Sequence, residues 1–377
     1  MTEREDDVFR REYLALATTG LALTAGCAGG GDGEVRGPTE TTGTEEPTEA
    51  DESTEADETV ETTAESSLQA AIDDATAGEK VQLEPGTYEE SVTVDKALRI
   101  TAPEGATLDG STLDTGTGIT VTADDVTVRG MEIVSYTDAG VTTDSPVSAL
   151  TLDGVTFSNN ATAVSGAVDS ATLSGVSATQ SGDTAVDVQP TGSGTVTLTD
   201  LTVEQAGGSG VRIDGGQSIT IENPDVRLSS EDGVRVTGGE TRGQTVTVTG
   251  GSTLENGRTG LTVAGTDGTD EITVDGLTAS DNGGNGIAVD GDTLSLTDVT
   301  ATDNGPAMAG VMVRGSNEGD VTVTGATVER TVRDAGIGVD YEGRGLSITD
   351  GKTVTVENAT LTGNGGWNLR IDAEDVR

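Results

Sequence analysis

Histidine is absent from this 377-residue sequence, and cysteine occurs only once, at Cys27. Ser-His-Asp and Cys-His catalysis both require an imidazole, and His-ligated zinc and haem sites require one as a ligand. A single thiol also leaves no partner for a disulfide within the chain. The sequence therefore excludes these mechanisms and these structural devices.

Positive charge and aromatic rings are also scarce. The chain has 20 Lys plus Arg against 66 Asp plus Glu, a formal charge of -46, so nucleic acid and anionic lipid are poor partners. An acidic surface with few lysines stays hydrated in molar salt, where the screening length falls to about 3 Å, so the composition predicts a halophilic protein. Aromatic residues make up 2% of the chain and glycine contributes 55 residues, which predicts a core of small β-branched side chains.

The first 26 residues predict an export signal. Arg10 and Arg11 precede an apolar run from Leu14 to Ala25, which is too short to span a bilayer as a permanent helix. The segment resembles a twin-arginine signal joined to a lipoprotein box at Thr24-Ala25-Gly26-Cys27. The resemblance implies a haloarchaeal-type lipoprotein that is cleaved before Cys27, lipidated on that thiol and held on the outer face of the cell membrane.

Two further segments follow the signal. Residues 27–65 consist mostly of Thr, Glu, Gly, Ala, Asp and Pro, so they cannot bury enough surface to fold, and we expect an extended, disordered spacer. Residues 66–377 form the predicted folded domain. It opens with a predicted helix at residues 66–77, with Ser66 or Ser67 as N-cap and Gly78 beyond its end. We expect this helix to cover exposed strand edges at one end of the domain.

A repeat of 22 to 32 residues runs through the predicted domain. Its recurrent pattern is a small residue, an apolar residue, any residue and a second apolar residue, and a second alternating pattern such as Val196-Thr197-Leu198 lies midway in most intervals. Short strands joined by Gly, Asp or Asn turns predict coils whose inward residues stack on the coils above and below. The recurrent pattern occurs at Gly118–Val121, Gly140–Thr143, Ala163–Val164, Ala185–Val188, Gly210–Ile213, Gly233–Val236, Gly260–Val263, Gly286–Val289, Gly310–Val313, Gly336–Val339 and Asn368–Ile371.

Residues 66–377 resemble the pectate-lyase-like right-handed parallel β-helix superfamily. The similar features are the opening helix, the Pro85-Gly86-Thr87-Tyr88 turn after the first strand and the coil of about 23 residues. The resemblance implies an all-β, right-handed parallel β-helix with an N-terminal capping helix. It does not specify an activity, because this fold carries lyases, hydrolases, epimerases, adhesins and inert repeat proteins.

The middle residue of each recurrent triplet is expected to point outward, and polar groups concentrate in the middle of that column. Coils about 4.8 Å apart place Asp187, Arg212 and Arg235 in a row. Stacked guanidinium groups repel unless acids or an anionic ligand lie between them. The outward column is Thr120, Thr142, Ser165, Asp187, Arg212, Arg235, Thr262, Ala288, Met312, Gly338 and Arg370. The candidate substrate-binding residues are Asp187, Arg212, Asp214, Glu231, Asp232 and Arg235.

Two interpretations of this face remain open. In the polysaccharide lyases that the chain resembles, acidic residues hold Ca²⁺ and an Arg or Lys abstracts the proton beside a uronate carboxylate. That resemblance makes Arg235 or Arg212 the candidate catalytic base. The candidate Ca²⁺ ligands are then Asp187, Asp214 and Asp232. In the second interpretation the face is a surface ladder of salt bridges that contributes little to stability.

Asparagine recurs in the predicted turns. Asn159, Asn256, Asn282 and Asn364 each lie five residues before the first apolar position of a recurrent strand, which predicts stacked turn amides. Two N-glycosylation acceptor sequences, Asn160-Ala161-Thr162 and Asn358-Ala359-Thr360, make Asn160 and Asn358 candidate modification sites. Trp367, the only Trp, is expected to close the last coil.

These observations predict a lipid-anchored β-helix module on the extracellular face of the membrane, with a non-catalytic role in envelope structure, adhesion or glycan contact. The alternative is a polysaccharide lyase, assisted by Ca²⁺, or a glycoside hydrolase that acts on extracellular acidic polysaccharide. The expected partners are the membrane, through the lipid on Cys27, and a surface polysaccharide or an envelope protein. Nucleic acid is not expected as a partner.

Overall fold

The computed structural model describes residues 59–62, 67–114, 116–238, 243–265, 270–305, 309–316, 318–331, 344–373 and 375–376. The predicted export signal, Cys27 and most of the predicted spacer lie outside these residues. The described residues belong to one compact unit, Glu55–Arg377. No helix among them is both long and apolar enough to cross a membrane.

This unit is a parallel β-solenoid built from three sheets, which we call the front, second and third sheets. The front sheet contains β4 Val92–Val94, β7 Thr117–Val121, β10 Ala139–Val147, β13 Thr162–Ser174, β15 Val186–Thr199, β17 Val211–Asp214, β20 Val234–Thr237, β23 Leu261–Ala264, β26 Ile287–Asp290, β29 Ala309–Arg314, β32 Arg344–Thr349 and β35 Leu369–Asp372. The front sheet contains the recurrent pattern of the sequence.

The second sheet follows the front sheet in each coil, and β13 and β15 are long enough to enter both. Its other strands are β1 Thr59–Thr62, β2 Lys80–Leu83, β5 Arg99–Thr101, β8 Thr127–Arg129, β11 Leu150–Asp153, β18 Ser218–Glu222, β21 Thr245–Thr249, β24 Glu271–Asp275, β27 Thr293–Thr297, β30 Asp320–Thr324 and β33 Thr353–Glu357. The alternating pattern predicted midway in each interval forms this sheet.

The third sheet has twelve short strands, one for each coil. They are β3 Thr87–Tyr88, β6 Thr107–Asp109, β9 Glu132–Val134, β12 Thr156–Ser158, β14 Ser177–Thr179, β16 Thr202–Glu204, β19 Asp225–Arg227, β22 Ser252–Leu254, β25 Thr278–Ser280, β28 Thr300–Thr302, β31 Thr327–Glu329 and β34 Thr360–Thr362. Every strand pairs in parallel with the equivalent strand of the next coil, as between Val211 and Val234. The parallel β-helix predicted from the sequence is therefore confirmed.

The core is a stack of Val, Ile, Leu and Ala side chains that alternate with outward polar residues along each strand. β21, for example, buries Val246 and Val248 and turns its threonines outward. Only a few rings enter the core, in the first coils, where Tyr88, Tyr136 and Phe157 are among the largest fully buried side chains. The small β-branched core expected from the composition is present, with these rings added in its N-terminal coils.

The capping helix α1 spans Leu68–Asp74, so it is shorter than the predicted 66–77. Ser67 is the N-cap, because its hydroxyl accepts a hydrogen bond from the Ala70 N–H at 3.3 Å. Leu68 and Ile72 are fully buried beneath the helix. Beyond the last turn, Lys96 Nζ donates to the Asp73 and Ala75 carbonyl oxygens at 3.0 Å each and satisfies the C-terminal end. The helix ends there because the backbone of Ala75 is extended, with ψ 146°.

The predicted spacer extends too far along the chain. Residues 59–62, which fall within the predicted 27–65 segment, form β1 and pair in parallel with β2, with Thr62 opposite Leu83. Thr62 is buried, and its strand adds one more row to the second sheet. Thr and Glu can occupy an edge strand of this kind, since one face of the strand remains in solvent. Composition alone therefore placed the domain boundary several residues too late.

One recurrent strand also lies elsewhere than predicted. The strand that follows β29 in the front sheet is β32, with Val311 opposite Leu346 and Val313 opposite Ile348. The segment Gly345-Leu346-Ser347-Ile348 has the same small-apolar-any-apolar pattern, and its two apolar side chains are fully buried. The predicted strand Gly336–Val339 lies outside the described residues. Ser347, rather than Gly338, therefore occupies the outward column between Met312 and Arg370.

Candidate functional site

The front sheet brings the central predicted residues together in the expected order. Asp187 lies directly opposite Arg212 in the register between β15 and β17, and Arg212 lies opposite Arg235 between β17 and β20. Each of them alternates along its strand with fully buried valine or isoleucine, so the sheet holds all three side chains on its outer face. The outward column predicted from the sequence is therefore present on these three coils.

Arg212 lies between two carboxylates. Its Nε atom is 2.9 Å from Asp214 Oδ2 on its own strand and 3.3 Å from Asp187 Oδ1 on the preceding coil. The Nε and Asp187 Oδ1 atoms are both buried, and their contact lacks hydrogen-bond geometry, so the attraction between them is ionic. Burial raises the pKa of Asp187, and the charges of Asp214 and Asp183 add to this effect, whereas Arg212 opposes it. The Arg212 guanidinium is thus neutralised by its own neighbours.

The other oxygen of Asp214 also has a partner. The Thr237 hydroxyl, one coil further on, donates a hydrogen bond to Asp214 Oδ1. Asp214 therefore joins Arg212 on its own strand to Thr237 on β20, and its side chain has no oxygen left free for a metal ion.

Arg235 pairs with a buried acid in the preceding turn. Its terminal nitrogen is 3.5 Å from Asp232 Oδ2, and the Asp232 side chain is only 8% exposed. Asp232 Oδ1 accepts a hydrogen bond of 3.0 Å from the Thr259 backbone N–H in the next coil. Beside it, Arg258 pairs with Glu231 at 3.1 Å. Asp232 therefore connects two successive turns, and this bond accounts for its burial.

The proposed Ca²⁺ ligands do not converge. Asp187 and Asp214 both face Arg212, whereas Asp232 faces Arg235 and the Thr259 backbone. Among the described residues, no group of three or more His, Cys, Asp or Glu side chains is arranged to hold a metal ion. Asp187, Asp214 and Asp232, predicted as Ca²⁺ ligands, therefore do not form one cluster, and each carboxylate interacts with a basic side chain or a backbone N–H.

The turns contain a ladder of buried asparagine side chains. The Asn282 oxygen accepts hydrogen bonds from the Asn256 backbone and side-chain nitrogens, at 3.1 and 3.0 Å, and Asn304 accepts the equivalent pair from Asn282. The stacked amides predicted at Asn256 and Asn282 are confirmed, and Asn304 is a further member. Asn364 continues the arrangement, with bonds to Thr331 and Val328. These side chains are structural.

Asn160, not Asn159, has the inward position in its own turn. Its side-chain oxygen accepts from the Tyr136 N–H and its nitrogen donates to the Ile133 carbonyl, each at 2.9 Å, and the residue is 2% exposed. A glycan cannot be attached to a buried amide nitrogen in the folded protein, so the structure contradicts the predicted glycosylation of Asn160. Asn159 instead occupies the left-handed region at φ 54°, and Asn358 is exposed.

A basic groove in the N-terminal coils was missed at the sequence level. The groove has a volume of about 650 Å³ and is lined by Lys80, Gln82, Arg99, Thr101, Ala102, Pro103, Gly105, Arg129 and Gly130. Lys80 lies opposite Arg99, and Thr101 lies opposite Arg129, on adjacent strands of the second sheet. The sequence carried a signal for it, because these basic residues all occupy outward positions of second-sheet strands in successive coils.

Comparison with known proteins agrees with the fold. Residues 184–369 match the family model described as right handed beta helix region. The A-module of the Azotobacter vinelandii mannuronan C-5 epimerase AlgE4 has a TM-score of 0.57 and 15% identity, over 82% of this chain and 94% of the module. The AlgE6 A-module gives the same TM-score and identity over 81% and 94%. No curated protein matches the sequence. At this identity the likeness shows the right-handed parallel β-helix fold alone.

Proposed function

We propose that the chain is an exported, lipid-anchored surface module whose β-helix binds an acidic glycan without cleaving it. The observation that carries the proposal is the groove containing Lys80 and Arg99, beside Arg129, whose guanidinium pairs with Asp153 at 2.8 Å. It is a concave basic surface in a chain whose formal charge is -46. A ligand that brings carboxylate or sulfate groups matches the charge of this groove better than a neutral one.

The geometry of the groove supports a negatively charged ligand. Lys80 and Arg99 lie directly opposite each other on neighbouring parallel strands and place two positive charges on the same face of the second sheet. An anionic group in the groove would accept charge-assisted hydrogen bonds from these side chains. In molar salt the long-range repulsion from the acidic surface is screened within a few ångströms, so local contacts decide binding.

The remaining lining residues are compatible with a sugar. Gln82 and Thr101 offer an amide and a hydroxyl on the same face of the second sheet, and Pro103 forms an exposed apolar wall. Hydroxyl-rich polymers need hydrogen-bond donors and acceptors of this kind beside a small apolar surface. A polymer of uronic acid or sulfated sugar combines both requirements.

A non-catalytic role is supported by the front sheet. Arg212 lies between Asp187 and Asp214, and Arg235 pairs with Asp232, so neither guanidinium is available as a base. A guanidinium is protonated at all ordinary pH values, so it does not readily accept a proton. The front face therefore resembles the ladder of salt bridges considered from the sequence.

A polysaccharide lyase or glycoside hydrolase is the second candidate. The observation that favours it is the raised pKa of Asp187, a partly buried carboxyl beside a second carboxyl at Asp214. Carboxyl pairs in unlike surroundings can divide acid and base roles. Modules named mannuronan C-5 epimerases share the fold, which makes acidic polysaccharides sensible first substrates for either candidate.

Glycan binding is tested with the full chain, purified in molar KCl, against a panel of uronate-rich, sulfated and neutral polysaccharides. Calorimetry should show binding to acidic polymers only, and the double variant Lys80→Gln/Arg99→Gln should weaken it about tenfold or more, since two charge-assisted contacts are lost. The matched control is Arg314→Gln, which removes an exposed arginine paired with Asp290 on the front sheet. Equal binding by the double variant and the control would refute the groove.

The same samples test catalysis. We expect no unsaturated-uronate absorbance and no change in polymer length. Product formation that Asp187→Asn abolishes would establish the enzymatic candidate instead.

Anchoring is tested separately in cells that export the chain. We expect it in the membrane fraction, with a mass on the N-terminal peptide that indicates lipid at Cys27. The Cys27→Ser variant should be released into the medium or remain unprocessed. A membrane-bound Cys27→Ser variant with its signal removed would contradict the anchor.

A further inference from the structure

The two ends of the β-helix differ. At the N-terminal end, β1 covers the edge of β2 and α1 buries Leu68 and Ile72. At the C-terminal end, Trp367 is 60% exposed and Leu369 is 42% exposed. The C-terminal coil thus presents apolar side chains and a strand edge in the part of the chain that the structure describes.

The hydrogen bonds of β35 define which backbone groups face that edge. The Asn368 carbonyl accepts from the Leu346 N–H at 2.9 Å, and the Asp372 carbonyl accepts from the Asp350 N–H at 2.8 Å. In a parallel ladder alternate residues face the same neighbour, so residues 368, 370 and 372 are directed toward β32. Leu369 and Ile371 therefore direct their N–H and C=O groups toward the opposite edge, with which no described strand pairs.

The neighbouring edge in the second sheet is already occupied. Val376 forms a parallel bridge with Val354 of β33, and the Val354 N–H donates to the Asp375 carbonyl at 2.9 Å. Within the part of the chain that the structure describes, the C-terminal residues therefore begin to cover the second sheet but not the front sheet. The open template for another strand is β35, and such edges readily pair with a second chain.

We propose that a second copy of this chain pairs its own β35 antiparallel to this one, about a two-fold axis at Ile371. In that register Ile371 faces Ile371 of the second copy, and the two residues exchange both backbone hydrogen bonds. Arg370 of each copy then lies opposite Asp372 of the other copy. Two reciprocal ion pairs form on the outer face, where each chain alone has only a contact of 3.8 Å between Arg370 and Asp372.

Other registers fit less well. A shift by one residue places inward Leu369 opposite outward Asp372, which the alternation of faces forbids. An axis at Arg370 keeps the hydrogen bonds, between Leu369 of one copy and Ile371 of the other, but sets the two Arg370 side chains against each other. An axis at Leu369 keeps the hydrogen bonds but leaves Arg370 opposite Asn368, without an ion pair. A head-to-tail arrangement with the first front-sheet strand is disfavoured because the Gln69 side chain of α1 already bonds the Thr93 N–H and carbonyl of β4.

The test exchanges charges across the axis. Sedimentation of the full chain carrying Cys27→Ser, at the lowest salt that preserves its circular dichroism, should show a dimer. In a dimer of the Arg370→Asp variant, two aspartates of one copy face two aspartates of the other, and in a dimer of the Asp372→Arg variant two arginines face two arginines. Each substitution should therefore raise the dissociation constant of the dimer about tenfold or more. An equimolar mixture of the two variants should form a heterodimer, since both pairs are then attractive. Arg314→Asp serves as the matched control and should dimerise like the parent chain.

The only Trp provides a second measurement. Trp367 lies beside the proposed interface, so its emission should shift to shorter wavelength as the parent chain associates, and Arg370→Asp should abolish the concentration dependence. A parent chain that remains monomeric with constant emission would overturn the proposal. So would variants that remain monomers when mixed, or a dimer that is indifferent to both charge reversals. The glycan groove plays no part in these measurements.

Discussion

The side-chain nitrogen of Asn256 donates a hydrogen bond of 3.0 Å to the side-chain oxygen of Asn282, one coil further along the β-helix. Asn282 repeats this contact with Asn304 at the same distance. All three residues are at most 1% exposed. Their amides therefore continue the backbone ladder through the turns, where no strand pairing is present to do so.

Asn282→Ala should lower the free energy of unfolding by about 3 kcal/mol or more. The substitution leaves the Asn256 N–H and the Thr253 carbonyl without their partners in a buried turn, and the Asn256 side-chain nitrogen keeps only its bond to the Val226 carbonyl. Denaturant titration in molar KCl measures the change. The control is Asn358→Gly, at an exposed residue with φ 55°, a conformation that glycine adopts without strain. Its free energy of unfolding should stay within about 0.5 kcal/mol of the parent value. Equal effects would exclude an energetic role for the ladder.

Gly260→Ala should destabilise the protein by several kcal/mol or abolish folding. A Cβ atom there would lie 2.5 Å from Thr253 Oγ1, 2.6 Å from the Gly286 carbonyl and 2.7 Å from Asn282 Nδ2. Overpacking against backbone and the ladder is costly, because neither can move far. Gly182→Ala is the control, since its Cβ would meet nothing closer than 3.5 Å. Thermal unfolding of the two variants should separate them clearly, and similar midpoints would contradict this account.

The stability of the fold should decline in alkali, and Tyr136 should contribute to the decline. Burial raises the pKa of Tyr136 above its ordinary value of 10.0, and its hydroxyl donates to the Glu90 carbonyl. Above pH 10 the unfolded chain loses this proton while the folded chain keeps it, so stability falls as pH rises, by about 1.4 kcal/mol per pH unit.

Tyr136→Phe removes this titration and should reduce the slope between pH 10 and 11.5 in denaturant midpoints. Tyr88, whose pKa burial also raises, accounts for part of the remaining slope. Identical slopes in the parent and the variant would show that Tyr136 ionises normally in the folded state.

Glycosylation in a host that modifies exported chains should occur at Asn358 alone. Asn358 is exposed, whereas Asn160 is buried with both ends of its amide engaged. Intact mass should show one glycan, which Thr360→Ala removes and Thr162→Ala leaves in place. These two substitutions destroy the acceptor sequences and keep both asparagines. A glycan that disappears with Thr162→Ala would mean that modification precedes folding.

Much of the fold could be predicted because two of the three sheets repeat visibly in the sequence. The small residue of the recurrent pattern has a physical cause. A Cβ at Gly233, Gly260 or Gly286 would lie within 2.7 Å of the ladder amide of the next coil. The third sheet was missed because its strands are three residues long with a single inward residue, such as Ala279 in β25. A lone small residue between a threonine and a serine carries little periodic signal.

The spacing of residues in the sequence does not identify the buried asparagines or the recurrent strands correctly where the length of a turn changes. Asn304 lies seven residues before Val311, rather than five, so the ladder residue was not recognised. Asn159 and Asn160 are adjacent, and only the backbone shows which one turns inward. The segments Gly336–Val339 and Gly345–Ile348 carry the same pattern, and pairing with β29 identifies the second as a strand.

The candidate site was predicted in position but not in chemistry. The order Asp187, Arg212, Arg235 follows from the register alone. The contacts of their charged ends depend on turns, as Asp232 shows by bonding the Thr259 backbone. The groove at Lys80, Arg99 and Arg129 was missed because those residues are far apart in sequence, and only strand pairing brings them side by side.

The parallel stacking of coils has a mechanical consequence. The hydrogen bonds of all three sheets run from one coil to the next, so a pull along the axis of the β-helix stretches these bonds directly. A coil must therefore lose its hydrogen bonds in all three sheets before it can detach. Among the described coils, the one that contains β35 pairs with a neighbouring coil on one side only, so a pull on that coil should detach it first. Under load the protein should yield in steps of one coil, from the end that contains Trp367.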